Sequence, residues 1–377
     1  MASKRIAFLV DLANSFGRRV LQGVHSHPAS QHWSVLAESW GDVNRQELLR
    51  EGSLHGIILK SEDPELLAAL QSFSGPVVDL SGGLRHPFCS TVTADYVQVG
   101  RVGAEHLKDR GFLHVAFVGM HHRAGSAQIE KGFRQVVDDF AGKINRYTVA
   151  GQPDLRDDLA AWVAALPRPC GILAAEDVAA RHLLQACHTL NLKVPQQLAV
   201  LGVGDDETIT TISVPSLSSV VVPATEIGMQ AADCLHRLFQ NQADSQHLKL
   251  ACPSVAARRS TDALAWEDPL MRNALEWLSL HARAETLRVP ALAQHLSVSR
   301  RLLEQRFHAS LGHGPAEQLR RFRLRRAEAL LRETDLGLGM IAKLSGLATA
   351  ERLCVLFRRY LQLTPGSYRK LLGQPRC

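Results

Sequence analysis

The alternation of apolar and polar runs divides the chain into two unlike parts. Over about the first 260 residues, short apolar runs alternate with amphipathic stretches. KRIAFLVD (Lys4 to Asp11) has the look of a short buried strand, and the stretch from Ser15 to His25 keeps Val20, Leu21 and Val24 on one face, so a strand-to-helix unit is predicted. The pattern recurs in HGIIL (His55 to Leu59) before PELLAALQSF, PVVDL before a loop, and VTAD before VGAEHLKDRG. It continues with HVAFVG (His114 to Gly119) before a helix around Gln128 to Phe140, GILAA (Gly171 to Ala175) before a helix to His188, and LAVLGVG (Leu198 to Gly204). Repeated βα units predict parallel sheets covered by helices. A run of this length is expected to form two lobes with a cleft between them, and ligands of such sheets bind at the carboxyl ends of the strands.

The last strand-like run is LKLACPSVAARRSTD (Leu248 to Asp262), after which the pattern is helical to the end. The fold class predicted is therefore α/β and two-lobed over 1–262, followed by an all-α domain over 263–377. The junction falls between Arg258 and Asp268, with Asp268 and Pro269 as cap and first-turn residues of the next helix. Within the helical part, two helix-turn-helix patterns flank a long helix. In the first, Leu292, Ala293 and Leu296 face inward, Ser297 breaks the helix and Ser299 caps a second one, on which Leu302, Leu303 and Phe307 are assigned to the buried face. Arg300, Arg301, Glu304 and Gln305 are left outward. The long helix begins at Pro315 and keeps Leu319, Phe322, Ala327, Leu330 and Leu331 for the core. In the second pattern Ile341, Ala342 and Leu344 face inward, Gly346 makes the turn, Thr349 caps, and Leu353, Leu356 and Phe357 anchor the new helix.

Charge separates the same two parts. The formal net charge is +6, yet from Trp266 onward 19 Lys and Arg face 10 Asp and Glu, leaving 24 basic and 27 acidic residues before it. Clustered cations on one module predict a polyanionic partner for that module. The apolar runs are far too short for a membrane-spanning helix, and MASKRIAFLVD meets an acidic residue too early for a secretion signal, so a cytoplasmic protein without membrane contact is expected. Seven cysteines without a C-x-x-C pair predict reduced thiols, and the His25/His27 and His121/His122 pairs lack further ligands at metal-binding spacing, so neither metal nor cofactor is expected. A phosphate loop, a G-x-S-x-G elbow and an H-E-x-x-H zinc motif are absent from the sequence, which points away from an enzyme.

RLRRAEALLRETDLGLGMIAKLSGL followed by LFRRYLQLTPGSYRK is similar to the AraC-type DNA-binding domain, across about the last hundred residues. VTADYVQVGRVGAEHLKDRGFLHVAFVG, VPQQLAVLGVGDDE and VPSLSSVVVP resemble the periplasmic-binding-protein type of effector domain of lac-repressor-type regulators. The amino-terminal helix-turn-helix of those regulators is absent, because the first strand starts at Arg5. The resemblance implies a homodimeric transcription regulator, an activator, that binds double-stranded promoter DNA, works with RNA polymerase and responds to a small effector, a sugar such as xylose or a related pentose. DNA-binding positions implied on the two reading helices are Ser299, Arg300, Arg301, Glu304 and Gln305, then Thr349, Ala350, Glu351, Cys354, Arg358 and Arg359. Arginine and polar side chains of the first helix suit base edges, whereas Ala350, Glu351, Cys354 and Val355 are poor donors to guanine.

Two positions depart from the family's sugar-binding pattern. Gly204 stands where an acidic residue commonly contacts sugar hydroxyls, and Ile129 stands where an arginine usually grips the sugar. The effector positions expected instead are Asn14, Phe16 and Arg18 from the first loop, Arg123 and Gln128 near the helix after HVAFVG, Asp177 and Arg181 after GILAA, and Asp205. Ser126 is a further polar substitute, Asp177 has a second reading as a helix cap, and Asp95 reads as a structural cap. An alternative function keeps the DNA-binding half but treats the first 260 residues as a ligand-free dimerisation scaffold, or as a receptor for a non-sugar metabolite, because unpaired polar groups in a buried site are costly.

Overall fold

A computed structural model describes residues 3–37, 54–61, 63–71, 73–84, 89–121, 124–138, 144–149, 156–240, 246–252, 254–266 and 268–371. Twelve strands among these residues form two six-stranded sheets. The first contains β1 (Lys4–Leu9), β2 (Trp33–Ala37), β3 (Gly56–Leu59), β4 (Val77–Asp79), β5 (Cys89–Ala94) and β11 (His247–Leu250), in the order β2-β1-β3-β4-β5-β11. The second repeats that order with β6 (His114–Met120), β7 (Asn145–Val149), β8 (Cys170–Ala174), β9 (Leu198–Gly204), β10 (Ser218–Val221) and β12 (Val255–Ala256), as β7-β6-β8-β9-β10-β12. All pairs are parallel except β10 with β12. Central strands such as GIIL and CGILA are buried on both faces, which explains their unbroken apolar character.

Helices cover both sheets: α1 (Ser15–Ser26), α2 (Pro64–Leu70), α3 (Tyr96–Lys108), α4 (Ala124–Val137), α5 (Arg156–Ala164), α6 (Asp177–Thr189), α7 (Glu207–Ile212) and α8 (Ala224–Phe239). Two helix pairs are especially close, α3 with α4 on the second sheet and α1 with α8 on the first. Each is packed backbone to backbone through glycines. A Cβ on Gly100 would collide with the Ile129 carbonyl and one on Gly132 with the Val97 carbonyl, while Gly23 and Gly228 stand in the same relation to Thr225 and Val20. Any side chain there would force the paired helices apart.

The α/β part ends with a short 3-10 turn at Arg259–Thr261, and seven helices follow: α9 (Pro269–His281), α10 (Val289–His295), α11 (Arg300–Leu311), α12 (Pro315–Glu333), α13 (Leu338–Leu344), α14 (Ala350–Leu361) and α15 (Pro365–Leu371). They enclose two separate cores. Met271, Leu275, Leu292, Leu303, Phe307 and Leu319 belong to one, while Leu324, Ala327, Leu331, Ile341, Leu353, Phe357 and Tyr368 belong to the other. Helix α12 runs between them, with Leu319 in the first core and Leu324 onward in the second.

The helical part is seated on the second lobe side of the α/β part. The carboxylate of Asp109, just after α3, lies 3.4 Å from both Arg321 and Arg325 of α12. The hydroxyls of Ser254 and the fully buried Tyr368 of α15 are 2.5 Å apart. The connecting segment is pinned as well: the Ala265 N–H donates to the Arg110 carbonyl at 2.8 Å, and the Trp266 indole lies over Gly111, whose φ of +83° and lack of a Cβ permit that approach.

Candidate functional site

Two surfaces carry chemistry, one between the lobes and one on the helical part. The carboxyl ends of the two sheets face each other across a cavity of about 190 Å³. Asn14 reaches it from the cap of α1 and Ser15 and Phe16 from its first turn, Lys60 from the end of β3, Ser81 from the end of β4 and Tyr96 from the start of α3. The second lobe contributes Ser126 and Ile129 of α4, Glu176 and Asp177 at the start of α6, and Gly204 and Asp206 after β9. The walls are mixed: Phe16, Tyr96, Ile129, Val203, Ile209 and Val222 supply apolar surface between the polar groups. The lobes already touch across it, since Ser15 N–H donates to the Asp206 carboxylate at 3.2 Å and Arg19 donates to the Gly204 carbonyl at 2.6 Å.

Several local structures place these groups. Asn14 caps α1 by accepting from the Gly17 N–H and donates to Asp11, so its side chain is fixed at the cleft edge. The Lys60 ammonium sits 4.0 Å from the centroid of the Phe16 ring, which makes Phe16 a wall with a cation on it. Asp177 is buried, and burial pushes its carboxyl up to about 6. It accepts from the Ser219 hydroxyl at 2.6 Å and from the Asp206 N–H at 2.7 Å. Glu176 occupies the cap position of α6, so Asp177 is its first residue. The carboxylate organises the loop after β9 from beneath.

That loop explains the glycine at position 204. Its φ is +126°, a conformation that residues with a side chain rarely adopt, and Asp205 beside it is at φ +55°. The backbone curls around Asp177 and delivers Asp206 to the cleft.

The structure separates the expected effector residues into groups. Asn14, Phe16 and Asp177 line the cavity, and Arg123 lies outside the described residues. Arg18, Gln128, Arg181 and Asp205 are not in its wall. Arg18 donates to the carbonyls of Leu12 and Ala13 at 2.8 Å, which ties its guanidinium to the outside of the loop. Arg181 is turned toward His182, and Asp205 pairs with Arg258 at 2.8 Å on the far side of the curled loop. Gln128 is the helical neighbour of the two lining positions Ser126 and Ile129 and projects elsewhere on α4. Lys60, Ser81, Tyr96 and Asp206 were not among the expected residues. Each stands within two residues of the carboxyl end of a strand, the position that sheets of this kind use for ligands. Asp95 caps α3 by accepting from the Gln98 N–H at 3.0 Å, as its position in VTAD suggests.

On the helical part, α10 with α11 and α13 with α14 form the two helix-turn-helix units. Ser299 and Thr349 accept from the N–H groups of Leu302 and Arg352, closing the first turns of α11 and α14. The turns between paired helices use left-handed residues, Ser297 at φ +54° and Gly346 at φ +75°. Arg300, Arg301 and Gln305 are exposed on α11, where Arg300 lies 3.7 Å from a half-buried Glu304. On α14, Glu351, Arg352, Val355, Arg358 and Arg359 are exposed while Ala350 and Cys354 are half-buried. Two residues assigned to the core are corrected here: Leu302 is 37% exposed and Leu344 is 40% exposed. Leu303 and Phe307 already fill the core side of α11, so Leu302, one residue earlier and about 100° around the helix, turns outward. Leu344, three residues after the buried Ile341, ends its helix at the rim.

A two-lobed α/β domain with an interlobe cavity, followed by two helix-turn-helix units joined by a long arginine-rich helix, defines a DNA-binding transcription regulator with an AraC-type reading domain. Residues 104–261 match the periplasmic binding protein-like domain family, and residues 292–371 match a helix-turn-helix domain family. The chain is similar over nearly its whole length to xylose operon regulatory proteins. It is 29% identical to that of Haemophilus influenzae, across 97% of this chain and 98% of the relative, and 28% identical to that of Escherichia coli K12, across 97% and 96%. A solved structure described as the xylose-binding transcription activator xylR superimposes with a TM-score of 0.60 at 28% identity, covering 98% of this chain and 99% of the other. A CelR–cellobiose complex shares the fold of the effector part, with a TM-score of 0.58 at 19% identity over 69% of this chain and 85% of the other. These relatives are transcription regulators, not enzymes. No described helix is long and apolar enough to cross a membrane.

Proposed function

We propose that the protein is a cytoplasmic transcription activator that binds promoter DNA as a homodimer, engages RNA polymerase, and is switched by xylose or a related sugar held between its lobes. The effector and dimerisation domain spans 1–262 and the DNA-binding domain 263–377. The observation that carries this reading is the interlobe cavity, with its polar groups set between apolar walls, in a chain similar over nearly its whole length to xylose operon regulatory proteins. Asn14, Lys60, Ser81, Tyr96, Ser126 and Asp206 meet the sugar hydroxyls, Phe16 stacks on the ring face, and Asp177 acts through the backbone of Asp206. On the DNA side, Arg300, Arg301, Glu304 and Gln305 of α11 read base edges, with Ser299 and Thr349 setting the helix starts against the phosphates. Ala350, Glu351 and Cys354 of α14 add little base readout, and Arg358 and Arg359 hold phosphates.

Thermal unfolding of the full chain with D-xylose, other pentoses and sugar acids tests the effector. At a hundredfold excess over the dissociation constant, a ligand selective for the folded state adds about 2.7 kcal/mol. Asn14→Ala and Asp206→Asn are expected to remove the shift. Silence across the panel, with DNA binding intact, would favour a scaffold or a receptor for a less polar metabolite, a reading that Ile129 in the cavity wall supports.

A further inference from the structure

Apart from the cleft, a cavity of about 610 Å³ lies where the α/β part meets the helical part. Five arginines line it, Arg110, Arg272, Arg283, Arg325 and Arg326, against three carboxylates, Asp109, Asp262 and Glu276. Most of these charges have fixed tasks. Arg110 donates to the Thr261 carbonyl at 2.8 Å, Arg272 donates twice to the Trp266 carbonyl, and Arg325 pairs with Asp109. Arg283 and Arg326 make no ion pair with Asp262 or Glu276. The Nε of Arg326 is buried without a hydrogen-bond partner.

A second group in the same wall is left unmet. Ser345, at the end of α13, is 1% exposed and its hydroxyl has no partner. A buried polar atom without a partner is costly, and two residues that carry one, Arg326 and Ser345, line this same opening. Guanidinium groups favour phosphate and carboxylate oxygens, and a serine hydroxyl adds a donor to the same oxygens.

We infer that this cavity is a second small-molecule site, separate from the cleft, which takes a phosphorylated small metabolite through Arg326, Arg283 and Ser345. Its walls come from both parts of the chain, so occupancy sets how firmly the reading helices are held against the effector domain. A sugar phosphate is distinguished from a free sugar here because the binding groups are cations, which a neutral hydroxylated ring does not need.

The full-length protein, exchanged into a buffer without multivalent anions, is titrated with glucose 6-phosphate and with glucose, and binding is followed by calorimetry and thermal shift. Glucose 6-phosphate is expected to bind saturably and glucose not at all. Arg326→Gln should weaken it about tenfold or more, as loss of a charge-assisted hydrogen bond does. Ser345→Ala, which removes a hydroxyl with no protein partner, keeps the fold and should weaken binding less. Arg301→Ala on α11 and Asn14→Ala in the cleft are expected to bind as the unaltered protein does. Absence of saturable binding overturns the inference. So does a response lost in Arg301→Ala and kept in Arg326→Gln, which puts the anion on the DNA-reading surface, or an equal response to glucose, which puts the ligand in the cleft.

Discussion

The two helix-turn-helix units are built alike and furnished differently. Shifted by fifty positions, Ser299 corresponds to Thr349, Leu303 and Phe307 to Leu353 and Phe357, Gly312 to Gln362, and Pro315 to Pro365. Gly312 and Gln362 both end their helices in the left-handed conformation, at φ +77° and +56°. The outward positions do not correspond in chemistry: Arg300, Arg301, Glu304 and Gln305 face Ala350, Glu351, Cys354 and Val355. Their settings differ too. The second unit shares its core with Tyr368, which meets Ser254 of the effector domain, whereas the first is tied to that domain chiefly through Trp266. A duplicated scaffold thus has one half dressed for reading and the other for docking.

The strongest way to break this comparison is to attack the shared scaffold. Phe307 and Phe357 are both fully buried, so Phe307→Ala and Phe357→Ala should each cost about 3–5 kcal/mol. Hydrogen exchange of the full chain is expected to show Phe307→Ala deprotecting α9 to α11 while α13 and α14 keep their protection, with the reverse for Phe357→Ala. Loss of protection in both halves from either substitution would mean that α12 fuses the two cores into one.

The docking side is sharpened by pH. Glu328 of α12 is buried in the wall of a cavity that Ser254 and Tyr360 also line, and burial pushes its carboxyl up to about 8 against the opposing pull of Arg325 and Arg332. Its folded value lies above the ordinary glutamate value of about 4.5, so the folded state binds the proton more tightly than the unfolded chain. The stability this proton provides is complete below about 4.5 and is lost as pH rises toward 8, by at most about 1.4 kcal/mol per pH unit. Unfolding midpoints measured from pH 5 to 9 should fall in the unaltered protein relative to Glu328→Gln, which keeps a neutral polar group throughout. Parallel curves would show that Glu328 titrates normally and that the second half is less firmly seated.

The reading side is sharpened by base choice. Arg301→Ala should cost about 1–3 kcal/mol of discrimination at the bases it contacts, while Glu351→Ala leaves the selected sequence unchanged in a binding-site selection. Loss of preference from Glu351→Ala with Arg301→Ala neutral would invert the roles assigned to the two units.

How much of this was legible in the sequence differs by region for physical reasons. The βα alternation and the capped helices are local signals, carried by Ser299, Thr349, Pro315 and the apolar periodicity, and they reappear in the structure with few changes. Leu302 and Leu344 were misplaced because an amphipathic pattern marks a buried face but not its edges. The cleft was less legible because its members come from eight strand ends far apart in sequence. Asp205 and Asp206 look interchangeable in GVGDDE, and only the left-handed turn at Gly204 decides that Asp206 faces the cavity while Asp205 pairs with Arg258. Arg18 and Arg181 look like ligand-binding groups until the backbone carbonyls and the neighbouring histidine that engage them are known.

The smallest expected effect tests the comparison at its most local. Ser299 and Thr349 perform the same task, accepting from an N–H three residues on, at 3.2 and 3.4 Å. Replacement of either by alanine leaves that donor unsatisfied and should cost about 1 kcal/mol. The two losses need not have equal consequences for DNA binding. A frayed start to α11 disturbs Arg300 and Arg301, which lie in its first turn, whereas a frayed α14 disturbs Ala350 and Glu351, while Arg358 and Arg359 lie two turns further on. Ser299→Ala is therefore expected to weaken operator binding more than Thr349→Ala at equal loss of stability, measured by titration of the full chain with operator DNA at fixed salt. Equal weakening would show that both helix starts meet the DNA and that the units, for all their different side chains, are used alike.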